Sequence, residues 1–250
     1  MTRLTGRLRV AFGAGALAYT VAVSALPSVA RAQGDDLQGS VNGLYPLWEQ
    51  TAILHPAGGG QVGHGHAQFG LGLVQVGTQP FLDLYGTYNL ELKVALPGGD
   101  RHRTALVLGG YRLPENAEER SIGDLHRPGF SNSYGPLTLF PVSLAHSFVA
   151  SGRLRIHSAA TALFQYGSSS VDRNLSGGVA TMVAFHASWH WSARLHGGLW
   201  GFGVERQAHA GLSFAYWSPR LAVAAGYARQ ASLTGETRSL FMIDGALLFR

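Results

Sequence analysis

The chain has 250 residues, 46% of them hydrophobic, with 34 glycines, no cysteine and only 13% charged side chains. The lack of cysteine excludes a disulfide scaffold. The formal charge of +5 does not mark a nucleic-acid binder: Arg3, Arg7, Arg9 and Arg31 precede Gln33 with no acid among them, which leaves 15 basic against 14 acidic groups and no clustered basic face.

Residues 1–32 read as a cleavable export signal. Three arginines form the basic start, Val10 to Leu26 the apolar stretch, and Ala30-Arg31-Ala32 a small-x-small cleavage site. Residues 33–43 are polar and read as a flexible lead-in. Residues 44–250 read as one barrel domain. Past residue 32 there is no apolar run of roughly 18 residues, so no transmembrane helix is expected.

From Leu44 on, short alternating segments follow one another between Gly, Pro, Ser and Asp punctuation. A first strand is placed at 45–54, although Pro46 argues against it. A loop near 55–60 and a turn near 69–72 follow. His64 and His66 share one strand face, but a firm metal site needs a third or fourth ligand, and no metal or cofactor is expected. Tyr88 to Leu96 sets Tyr, Leu, Leu, Val and Leu against Asn89, Glu91, Lys93 and Ala95. Pro97 to Asp100 is a tight turn. Residues 104–111 are apolar on both faces, and 113–136 form a charged, aperiodic loop. His146 shares a face with Phe140, Val142, Leu144 and Phe148. Gly152 to Tyr166 sets Leu154, Ile156, Ala160, Ala162, Phe164 and Tyr166 against Arg153, Arg155, His157, Thr161 and Gln165.

The sharpest alternation runs from Val179 to Trp191, with Val, Thr, Val, Phe, Ala, Trp and Trp facing Ala180, Met182, Ala184, His186, Ser188 and His190. A strand with that contrast separates two media. In 193–204, Arg194 and His196 share a face with Trp200 and Phe202, which breaks the pattern unless a bulge shifts it. Gln207 to Trp217, Leu221 to Tyr227 and Phe241 to Phe249 alternate cleanly. With tight turns on the periplasmic side and longer loops outside, the count is about twelve strands, with ten as the fallback. The fold class is therefore all-β, a closed antiparallel transmembrane barrel.

The export signal, the alternating strands, the aromatic strand ends and the C-terminal strand together resemble Gram-negative outer-membrane β-barrel proteins. Such barrels end on Phe with apolar residues at alternate positions before it. Here Phe249, Leu247, Ile243 and Phe241 keep that register, with Arg250 added after it. The stretch from Ala57 through Pro97 is also similar to the opening of a group of transporter- or porin-like barrels. The resemblance implies the outer membrane as location, contact with its lipid and lipopolysaccharide, and recognition of the last strand by the barrel-assembly machinery.

The lumen would be lined by Glu91, Lys93, Arg153, Arg155, His157, Gln165, His186, Ser188, His209 and Asp244. Trp189, Trp191, Trp200, Trp217, Tyr227 and Phe249 would form interface girdles. The function expected is a small pore or transporter-like channel for small solutes, not an enzyme. The alternatives are a closed structural or surface-interaction barrel and a lipid A-modifying hydrolase. The last would rest on His186-Ala187-Ser188, similar at two positions to the His-x-Ser-Asn of lipid A deacylases. Trp189 stands where that segment has Asn, and the pair would face the lumen rather than lipid.

Overall fold

The computed structural model describes residues 49–63, 66–78, 88–113, 137–166, 174–188, 190–200, 207–232, 235 and 237–249. The export signal, the lead-in, the 113–136 loop beyond Leu113, His64 and Trp189 lie outside these residues.

Twelve strands form one closed antiparallel barrel in chain order. They are β1 (Gly60–Gly63), β2 (His66–Gly70), β3 (Val74–Thr78), β4 (Tyr88–Leu96), β5 (His102–Leu113) and β6 (Leu137–Val149), then β7 (Leu154–Tyr166), β8 (Asn174–His186), β9 (Trp191–Trp200), β10 (Gln207–Trp217), β11 (Leu221–Ser232) and β12 (Thr237–Phe249). β1 closes the ring against β12, with Gly60 opposite Phe249 and Gly63 opposite Ala246.

The count of twelve agrees with the sequence, but its start does not. Residues 45–54 supply no strand within the described part. A single segment expected near 61–68 is instead a hairpin, β1–β2, pairing Gly60 with Phe69 and Gly63 with His66. β8 also ends at His186, so the stripe from Val179 to Trp191 belongs to two strands joined by a turn.

Tight turns collect at one end. Leu71 N donates to Val74 O (2.6 Å), His102 N to Gly99 O (3.2 Å), Ala150 N to Leu154 O (3.0 Å) and Ser218 N to Leu221 O (2.8 Å). The connections at 79–87, 114–136, 167–173 and 201–206 fall at the opposite end together with two short ones, at 64–65 and 233–236.

The outer surface is apolar along most strands. Leu144, Phe164, Val179, Phe185, Leu195, Phe214 and Tyr227 are all exposed, and Ile243 reaches 84% exposure. The alternate positions point inward and carry most of the buried polar groups. No strand pair slips register, so no bulge is needed to explain the three irregular segments. The β5–β6 ladder skips only Gly109 and Gly110, beside Pro141, which has no N–H to give. His146 does face outward, where its Nδ1 meets Thr104 Oγ1 at 3.1 Å and its ring stacks on His102.

Candidate functional site

A ring of twelve strands is wider than the eight-stranded ring whose interior side chains just fill. Here the chain fills part of the space itself. Residues Glu49 to His55 lie inside the barrel, outside any strand, and every one of them is at most 3% exposed. The segment makes contact with most of the wall. Gln50 Nε2 donates to Glu91 Oε2 on β4 (2.9 Å), and His55 N donates to Gln75 Oε1 on β3 (2.9 Å). Ala52 N donates to Ser147 Oγ on β6 (2.9 Å), whose hydroxyl in turn bonds His157 Nδ1 on β7 (2.8 Å). A short backbone that forms no ladder needs such partners, because buried unpaired N–H groups are costly.

The apolar side of the segment explains β5. Ala52 and Leu54 pack against Ala105, Val107, Ala145 and Ala159. Residues 104–111 are apolar on both faces because one face meets the outside and the other meets this segment.

Glu49 is held by two histidines on neighbouring strands. Its Oε2 lies 2.9 Å from His196 Nδ1 on β9, and its Oε1 lies 2.5 Å from His209 Nε2 on β10. His196 Nε2 meets Ser213 Oγ at 2.7 Å. Since Glu49 can only accept, His196 carries its proton on Nδ1 and accepts from Ser213 when neutral. The His209 ring packs on Trp200 with centroids 4.5 Å apart. Gly198 leaves room for that ring: a Cβ there would fall 2.5 Å from His209 Cε1 and 2.8 Å from the Val179 carbonyl oxygen.

The expected lumen residues divide. Glu91, Lys93, His157, His186 and His209 are buried inside the barrel, and Arg155 and Asp244 occupy inward positions with partial exposure. The side chain of Gln165 lies outside the described residues. Two assignments are corrected. Arg153 precedes β7 and is exposed in the turn, where its N donates to Ser151 Oγ (3.2 Å). Ser188 is exposed in the turn after β8, where its Oγ accepts from His190 N (3.3 Å). The strand's alternation stops at His186, so Ser188 does not follow it into the lumen and the two side chains are placed in different surroundings.

The aromatics divide as well. Trp191, Tyr227 and Phe249 are exposed on the outside. Trp200 and Trp217 are corrected: both point inward and are buried to within 3%. Trp200 Nε1 donates to Gln207 Oε1 (2.9 Å), which Gln230 also contacts. The Arg194 guanidinium lies 4.6 Å from the Trp217 ring centroid. The break seen at 193–204 is therefore the ordinary inner face of β9, made of Ser192, Arg194, His196 and Trp200.

The wall of β10, β11 and β12 is lined by small residues. Gln61, Ala215, Trp217, Ala222, Ala224, Asp244 and Ala246 border a small cavity of about 10 Å³, room for about one water molecule. Among the described residues, no three His, Asp or Glu side chains are placed to hold one metal ion.

No protein-family model matches the sequence, and no curated protein matches it. Solved structures that are similar at low identity include the following three. The outer membrane channel DcaP of Acinetobacter baumannii is 13% identical over 75% of this chain and 61% of its own, with a TM-score of 0.35. OmpT of Vibrio cholerae is 12% identical over 89% and 74%, with a TM-score of 0.44. A Pseudomonas aeruginosa FadL homologue is 13% identical over 73% and 53%, with a TM-score of 0.37. The chain thus spans about three fifths of DcaP and about half of the FadL homologue.

Proposed function

We propose that this protein is an outer-membrane pore for small solutes, stopped at rest by its own residues 49–55. An apolar outer surface around a polar inner one supports a place in a bilayer, and the export signal and Phe-ended last strand support the Gram-negative outer membrane. In that place the outward belt contacts lipid and lipopolysaccharide, and β12 is the strand the assembly machinery engages.

The observation that carries the pore reading is the way the segment is held. Glu49, Gln50, Ala52 and His55 are anchored by hydrogen bonds to wall side chains, which water can replace. Ala52 and Leu54 are held by apolar packing, and Ile53 between them is fully buried. A closed structural barrel is the second reading, favoured by that same Ala52 and Leu54 contact.

The test is current through refolded protein in planar bilayers. Wild type is expected to give brief or small steps, and Glu49→Ala longer or larger ones. Bilayers that stay silent with both proteins refute the pore and leave the closed barrel.

A further inference from the structure

Near the short-turn end of the lumen, four side chains on three strands converge. Ser192 and Arg194 are successive inward residues of β9. His186 of β8 is the direct cross-strand partner of Ser192. Trp217 of β10 packs under Arg194 at 4.6 Å and beside His186, with ring centroids 6.4 Å apart. The backbone of Trp217 is fixed by His190, whose carbonyl accepts from Trp217 N (2.8 Å) and whose Nδ1 lies 2.7 Å from Trp217 O.

This cluster is rich in donors and short of acceptors. Arg194 Nε, Trp217 Nε1 and Ser192 Oγ are all buried and have no hydrogen-bond partner among the described residues, and each residue is at most 3% exposed. Arg194 Nε and Trp217 Nε1 can only donate, and the serine hydroxyl can donate or accept. Arg194, Arg155 and Lys93 all act on the neighbouring His157. Buried donors without acceptors are costly, so a ligand that supplies acceptors is stabilised there. The acid that acts on Arg194, Glu49, is already engaged by two histidines.

We propose that Arg194, Trp217, Ser192 and His186 form a binding site for a small oxyanion, a carboxylate or phosphate group, at the edge of the small cavity that Trp217 borders. Arg194 supplies charge, and its stacking on Trp217 holds the guanidinium in one orientation. Trp217 Nε1 and Ser192 Oγ supply further donors. Asp244 borders the same small cavity and opposes an anion there, so the donors of Arg194, Trp217 and Ser192 must outweigh it. This inference deepens the pore reading, since such a site would act as an anion-selecting station, but its existence does not require current to flow.

The experiment has two arms on refolded protein whose folding is verified by heat-modifiable migration. In the first, inorganic phosphate and acetate are titrated in detergent by calorimetry, with Trp fluorescence as a second signal. Saturable binding at one site is expected, weakened about tenfold or more in Arg194→Gln. Arg194→Lys should recover part of it. Trp217→Phe keeps the ring and removes the N–H, so it should weaken binding several-fold even if the arginine variant fails to fold. Heat that does not saturate, or binding unchanged in Trp217→Phe and Ser192→Ala, overturns the site. In the second arm, reversal potentials under a KCl gradient should be anion-selective in wild type and shift toward cations in Arg194→Gln. Binding without current leaves the site standing and removes the pore. Current without binding, and with no change in selectivity, removes the site and leaves the pore.

Discussion

Glu49 and His209 are 160 residues apart in sequence, yet their side chains meet at 2.5 Å inside the barrel. The same carboxylate binds His196, so one residue of the inner segment ties together two adjacent wall strands. The pairing gives the segment a fixed height in the lumen and supplies its strongest polar contact.

Breaking that tie should destabilise the protein and loosen the segment. Glu49→Ala is expected to cost about 1.5–3 kcal/mol, the range for hydrogen bonds to a charged group. Urea unfolding in detergent or liposomes measures it. In a double-mutant cycle, Glu49→Ala and His209→Ala should couple by about 1 kcal/mol or more. Costs that simply add would mean the two side chains do not interact.

Gly198 should be intolerant of any side chain. A Cβ at this position meets His209 Cε1 at 2.5 Å, the Val179 carbonyl at 2.8 Å and Ala180 Cβ at 3.0 Å. The carbonyl cannot move without disturbing the β8–β9 ladder, so His209 must move. Gly198→Ala is expected to cost about 1–3 kcal/mol and to reproduce the current phenotype of Glu49→Ala. An unchanged stability would show that the His209 ring is not held against this glycine.

Much of the barrel was legible in the sequence, for a physical reason. Outward residues of β6 to β12 face one medium and inward residues another, so the contrast is written locally at every second position. The strand parity at Gln207 to Trp217 and at Leu221 to Tyr227 reads directly from it. The inner segment was not legible. Glu49 to His55 has no periodicity, and its position depends on the width of the finished ring rather than on neighbouring residues. Trp200 and Trp217 misled because an aromatic near a strand end has the same composition whether it faces in or out. Their parity with His196 and Ser213 was the available signal. Arg194 and His196 were visible as an irregularity, and only the occupied lumen explains why an inner face carries charge, imidazole and indole together. Ser188 was misplaced because the alternation was extended through a turn.

The two faces should respond differently to charge. Leu144 is exposed near the middle of β6. Leu144→Arg should cost about 2–4 kcal/mol in a bilayer and reduce the heat-modifiable fraction. Met242→Arg, at an inward and half-buried position of β12, should cost clearly less. Equal loss in both would contradict the assignment of the outer face to lipid.

Tryptophan quenching separates the aromatics. In variants that keep one tryptophan each, brominated lipid should quench Trp191, which is 54% exposed on the outside, and spare Trp217, which is 3% exposed inside. Equal quenching of the two would place Trp217 at the membrane interface after all.

If residues 49–55 stop the pore and leave the lumen to open it, tying them to the wall abolishes current. The chain has no cysteine, so a tether can be introduced cleanly. Ala52 N and Ser147 Oγ lie 2.9 Å apart, which makes Ala52→Cys with Ser147→Cys a close pair. Single-channel recording of this variant is the direct measurement. Silence is expected when the pair is oxidised and current steps after reduction; identical steps in both states would show that residues 49–55 are not the stop.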